Sequence, residues 1–190
     1  MKRRALRAAW WCLVLAVPCA ADGWGGGAAP AAAVPESPRA APEVLLAVPF
    51  VPQETSDDCG IAALQSVYRY HGLEVGRGDL MTALGYQEGK GVLNLRVVLD
   101  ARRRGLAAVL AKGSRDRLAE LLREKVPPLL MVERKRQNHF LVVTGLRPGA
   151  IRCHTSTEEN RWEPEAEFLA AWERTGGCLV EIRSEGEGKR

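Results

Sequence analysis

Cys59 opens an amphipathic run in which Ile61, Leu64, Val67 and Tyr68 recur at helical spacing. A thiol at a helix N-terminus faces the positive end of the helix dipole and several unpaired backbone N–H groups. That environment favours thiolate, the nucleophilic form of cysteine. Gln53 lies six residues upstream, close enough for its side-chain amide to fold back toward an oxyanion forming beside the sulfur. His139 heads the strand-like run Phe140-Leu141-Val142-Val143, where a rigid element can hold an imidazole as general base and acid. Gly60 gives up helix propensity directly after the thiol, and the expected return is open space for a substrate carbonyl. Nucleophile, base and oxyanion donor together make the parts for acyl transfer through a thioester.

Periodicity and punctuation place the elements that must bring these residues together. Residues 44–51 alternate and contain proline, which predicts an edge strand leading into the site. A helix is expected over 59–71, capped by Asp57 or Asp58 and stopped at Gly72. A short helix is expected over 79–84, and another over 92–104 with Val92, Leu95, Val98 and Leu99 inward. A strand over 106–111 precedes a helix over 114–124 capped by Ser114. Strands follow over 126–133, 139–146 and 151–154, the last two joined by a turn at Arg147-Pro148-Gly149. A helix over 164–174 begins at Pro164, and a strand over 178–182 closes the series. Helices first and a mostly antiparallel sheet second is an α+β pattern.

The motifs resemble those of the C39-like peptidases. They read Val48-Pro49 with Pro52-Gln53, then Asp58-Cys59-Gly60-Ile61-Ala62-Ala63-Leu64, then His139-Phe140-Leu141-Val142-Val143-Thr144-Gly145. The resemblance spans roughly residues 44–182. It implies a papain-like cysteine peptidase fold, peptide-bond hydrolysis, and the roles of nucleophile for Cys59, base for His139 and oxyanion donor for Gln53. The family also places an Asp one strand after the histidine to orient its ring. Here the strand 151–154 leads to Thr155-Ser156, with no Asp, and Glu158 and Glu159 lie further along. Thr155 aligns best as a neutral orienter, with His154 as the alternative; a neutral group suffices because a thiolate–imidazolium pair needs less support than a serine–histidine pair. Other readings of the same residues are a catalytically weak or inactive peptide-binding module, and a different acyl transfer such as amide hydrolysis or transglutamination.

Bulk properties divide the 190 residues. Residues 1–21 combine Lys2, Arg3, Arg4 and Arg7, an apolar run over 8–17 and small residues at Cys19-Ala20-Ala21, the pattern of a secretory signal. Lipidation at Cys19 would instead give a membrane tether, although Pro18 fits a lipobox poorly. Residues 22–43 form an Ala/Pro/Gly-rich linker, 44–184 the peptidase-like domain and 185–190 a tail. The signal carries four of the 27 Lys and Arg and none of the 23 Asp and Glu, so the remainder is 23 against 23, or neutral. Neutrality argues against a nucleic-acid partner. Gly85 to Gly91 lacks the Ser or Thr and the spacing of a phosphate-binding loop, so no nucleotide is expected. Nor do Cys and His show paired metal-ligand spacing, and no cofactor is expected. Of the three cysteines after the signal, Cys153 and Cys178 either pair, leaving Cys59 free, or are both buried strand thiols. The expectation is an exported, stand-alone thiol peptidase acting on a peptide or protein.

Overall fold

A computed structural model describes residues 43–184 and 186. The expected signal over 1–21, Cys19, nearly all of the linker and most of the tail lie outside the described residues. Helix α1 (Cys59–Tyr70), α2 (Arg77–Leu84) and α3 (Asn94–Arg103) come first. Strand β2 (Leu106–Lys112) and helix α4 (Arg115–Arg123) follow, and then β3 (Leu129–Arg134), β4 (Gln137–Arg147), β5 (Ala150–His154) and β6 (Arg161–Pro164). Helix α5 (Glu165–Glu173) and strand β7 (Cys178–Ser184) end the series, while β1 is only Val44–Leu45. The α+β expectation holds: the strands make one antiparallel sheet in the order β2-β7-β3-β4-β5-β6.

β4 organises the sheet. Its first half pairs with β3, bringing His139 opposite Val132, and its second half pairs with β1 and β5. The β-branched Val142 and Val143 are fully buried at the crossing point. Helix α1 packs against this strand and is buried from Cys59 to Tyr68. That enclosure explains why its sequence carries alanines and Gly60 between the large residues: every face meets protein. Burying Ile61, Leu64 and Val67 contributes roughly 1.5–3 kcal/mol each.

Ser114 caps α4 as expected, accepting the Arg117 N–H at 3.2 Å. Two other expectations need correction, and two features go beyond what the sequence implies. The N-terminal strand is two residues long, and the segment after it is held by isolated bonds such as Leu46 N–H to the Thr144 carbonyl. α3 buries Val97, Val98 and Ala101, whereas Leu95 and Leu99 are 59% and 40% exposed. Val98 faces inward as expected and Val92 packs against the core, but apolar residues lie on both sides of this helix, and periodicity alone places Leu95 and Leu99 wrongly. β6 was not expected, because Arg161-Trp162-Glu163-Pro164 lacks apolar alternation. Its inward residue is Glu163, buried through an ion pair with Arg134. Finally, β7 is last in sequence yet central in space, between β2 and β3.

The sheet order also decides the cysteine question. Cys153 on β5 and Cys178 on β7 are separated by β4 and β3. Three strand spacings amount to about 14 Å, twice the Cα separation of about 7 Å that a disulfide tolerates. All three thiols are free. Cys153 is sealed in the sheet, where burial pushes its pKa up to about 12. Cys178 accepts a bond from Asn94 Nδ2 at 3.0 Å.

Candidate active site

Cys59 and His139, eighty residues apart in sequence, line one cleft of about 740 Å³. One wall is the start of β4, with Asn138, His139 and Phe140; another is the connection from Gly89 to Leu95. Cys59 sits at the head of α1 and is 8% exposed. Its burial raises the thiol pKa, opposed by the nearby backbone N–H groups of Phe140 and Gly60; the neighbouring Asp58 charge raises it further. This corrects the expectation of a thiolate favoured by the helix terminus alone. Desolvation outweighs the amides here.

Gly60 also departs from expectation. A Cβ at this position would run into Val92 Cγ2 and stand 2.9 Å from Phe140 Cδ2. The glycine therefore lets Val92 and Phe140 close over the start of the helix, and the space is filled by them instead of being left for substrate.

His139 is half-buried, and its ring makes no hydrogen bond among the described residues. Burial and, secondarily, the Arg134 charge lower its pKa. Both effects favour the neutral ring, the form able to accept a proton. It also lines a second, smaller cavity of about 170 Å³, shared with Thr155, Glu158 and Arg134. Thr155 is near His139, as the alignment implied, but its hydroxyl is committed elsewhere. It accepts the Glu158 N–H at 3.0 Å and the Thr157 N–H at 3.4 Å, closing the turn after β5. His154 is 3% exposed and both ring nitrogens are used: Nε2 donates to the Val48 carbonyl at 2.8 Å, and Nδ1 accepts the Asn160 N–H at 3.1 Å. It ties the N-terminal segment to β5 and has no nitrogen left to orient another ring.

Gln53 lies on the loop before α1. Its backbone N–H donates to the Ser156 carbonyl at 2.9 Å, and its side-chain Oε1 is buried with no hydrogen-bond partner among the described residues. It is not among the residues lining the larger cleft. Asp58 takes the N-cap position without a side-chain capping bond. Its fully buried carboxylate instead accepts the Glu54 and Thr55 N–H groups at 3.2 Å and pairs with Arg77. Asp57 accepts the Tyr86 hydroxyl at 2.7 Å and the Gly89 N–H, fastening the 87–91 loop as a wall of the cleft. In the sequence this loop shows only the absence of a phosphate-binding pattern. Two glycines with φ of +75° and +68°, Gly89 and Gly91, were the available signal of a shaped turn.

The profile of the Peptidase C39 family matches residues 47–182, which include Gln53, Cys59 and His139. The chain belongs to the C39 peptidase family. Among C39 structures, it is similar to the peptidase domain of Streptococcus ComA, a bi-functional ABC transporter, at 22% identity and a TM-score of 0.63, covering 72% of this chain and 98% of that one. A double glycine motif protease from an AMS/PCAT transporter, in complex with its leader peptide, gives 22% identity and 0.62, covering 74% and 94%. A candidate C39-like peptidase from Bacillus anthracis gives 16% and 0.66, covering 76% and 100%. These likenesses establish the papain-like fold. The sublancin-168-processing and transport ATP-binding protein SunT of Bacillus subtilis is 25% identical over 96 residues, 50% of this chain. The match spans 13% of that protein's length.

Proposed function

We propose that this C39 family member is an exported cysteine peptidase that cleaves peptide bonds through a Cys59 acyl-enzyme. The observation that carries this reading is the convergence of Cys59 and His139 on one cleft. In the proposed cycle the neutral His139 ring takes the Cys59 proton as the sulfur attacks the scissile carbonyl. The Gln53 amide stabilises the oxyanion, a contribution worth about 10²–10³ in rate. The imidazolium then protonates the leaving amine, and water releases the acyl group by the reverse path. A raised thiol pKa with a lowered imidazole pKa supports proton transfer during attack over a preformed ion pair.

Export rests on the signal-like residues 1–21, and a peptide substrate on the cleft and on the leader peptide held by the AMS/PCAT protease. A second reading, a peptide-binding module of low activity, is favoured by the commitment of the Thr155 hydroxyl to its own turn. Digestion of a peptide library by the wild type and by Cys59→Ala separates the two. Cleavage by the wild type alone supports the peptidase; cleavage by neither supports the binding module.

A further inference from the structure

Arg77, at the first position of α2, reaches back to the loop before the nucleophile and holds both neighbours of Gln53. Its Nη2 donates to the Pro52 carbonyl at 2.7 Å, and its Nε lies 3.1 Å from the Glu54 carboxylate. Nη1 pairs with Asp58, whose carboxylate oxygens also accept the Glu54 and Thr55 N–H groups. The guanidinium is 15% exposed and Asp58 is fully buried, so this pair is shielded from water, whereas the Glu54 carboxylate is 69% exposed. One planar cation therefore fixes residues 52, 54 and 58 at once, and Gln53 and Cys59 follow directly after two of them. A lysine carries the same charge but offers no rigid fork for three acceptors.

We infer that Arg77 is a positioning residue for the oxyanion site: through Asp58, Pro52 and Glu54 it sets the loop that aims the Gln53 amide relative to the Cys59 sulfur. This inference rests on the peptidase reading above. Arg77 touches neither substrate nor reacting atoms. It limits the freedom of a short loop whose side chain must meet a developing charge within hydrogen-bond distance. The buried Oε1 of Gln53 fits this role: among the described residues it has no hydrogen-bond partner, so the loop and not a bond to this oxygen holds the side chain.

The test compares Arg77→Lys with the wild type, with Gln53→Ala and with the double variant. Three readouts are taken: turnover of a cleaved peptide, alkylation of Cys59 by iodoacetamide, and amide hydrogen exchange. Alkylation forms no oxyanion and needs no Gln53, so it separates aiming from thiol reactivity. Arg77→Lys is expected to lose about 10²-fold in kcat with KM near the wild-type value. Its alkylation rate stays at the wild-type level, and adding it to Gln53→Ala costs little more than Gln53→Ala alone. Exchange at Glu54 and Thr55 rises while exchange within α1 does not. Wild-type turnover in Arg77→Lys, losses that multiply in the double variant, or an equal fall in alkylation would each overturn the inference. Should Arg77→Lys unfold, Asp58→Asn, which removes the ion pair but keeps an acceptor, is read by turnover beside Gln53→Ala and by exchange at Glu54 and Thr55, because loss of the Asp58 charge alters thiol alkylation by itself. If wild-type cleavage does not depend on Cys59, the peptidase reading fails. The exchange result then decides the clamp alone: faster exchange at Glu54 and Thr55 upholds it, and unchanged exchange removes it.

Discussion

A methyl group on Gly60 would stand 2.9 Å from Cδ2 of Phe140, on the strand that also carries His139. This contact registers the nucleophile helix against the histidine strand. Gly60→Ala would gain about 1 kcal/mol of helix propensity, but overpacking a closed site costs about 1–3 kcal/mol. Overpacking wins, because Val92 blocks the same position from the other side. The variant is expected to unfold at lower urea than the wild type and to lose turnover in proportion to the displacement of Phe140. Urea titration beside peptide cleavage checks both.

Thr155→Asp tests the missing acid. An Asp side chain can keep the turn bonds now made by the Thr155 hydroxyl. It would also bring a carboxylate into the cavity shared with His139. An acidic neighbour favours the imidazolium, so the acid limb of the pH–rate profile should move to higher pH. Turnover should rise about tenfold. Profiles of the two proteins measured side by side give the answer.

His154 predicts a pH dependence of stability. Burial lowers its pKa in the folded state, so the fold prefers the neutral ring. The unfolded chain takes up a proton near pH 6.5. The stabilisation is therefore complete above that pH and is lost as pH falls toward the lower folded value. His139 is shifted in the same direction and adds to the slope. His154→Phe should lessen the slope below pH 6.5, and should cost about 2–4 kcal/mol at neutral pH by leaving the Val48 carbonyl and the Asn160 N–H unpaired. Denaturant unfolding at several pH values measures both effects.

Tyr68 offers a control away from the cleft. Its buried hydroxyl donates to Asp100 at 2.7 Å, and Asp100 also accepts from Arg104 at 2.8 Å. Burial and the Asp100 charge hold the phenol well above its ordinary pKa. Tyr68→Phe should cost about 1–2 kcal/mol and leave cleavage per folded molecule unchanged. Thermal unfolding and a cleavage assay together check this.

The sequence exposed the parts that local rules govern. The helix starting at Cys59 and the strand carrying His139 follow from spacing and β-branched content, and Ser114 marked its own helix. What was hidden depends on distant partners. Glu163 reads as a surface residue until β6 places it against Arg134. Leu95 and Leu99 fit an inward stripe with Val98 until the burial of Val97 and Ala101 turns them out. Thr155 lies in the expected neighbourhood, yet its hydroxyl bonds are made by a turn that spacing alone does not reveal. Asp58 looked like a helix cap because its position is right, and only the arrival of Arg77 from α2 redirects the carboxylate. The thiol follows the same rule: the helix terminus that favours thiolate is local, and the burial that opposes it is not.

The most direct test is the pH profile of iodoacetamide alkylation at Cys59 in the wild type and in His139→Ala. With a buried thiol and a neutral imidazole on one cleft, the wild type should show a step below pH 6.5 as His139 becomes able to accept the proton, well before the thiol ionises by itself above about 8.5. His139→Ala should lose that step and keep only the alkaline rise. Superimposable profiles would mean that the two residues do not act as a pair, and would contradict the account.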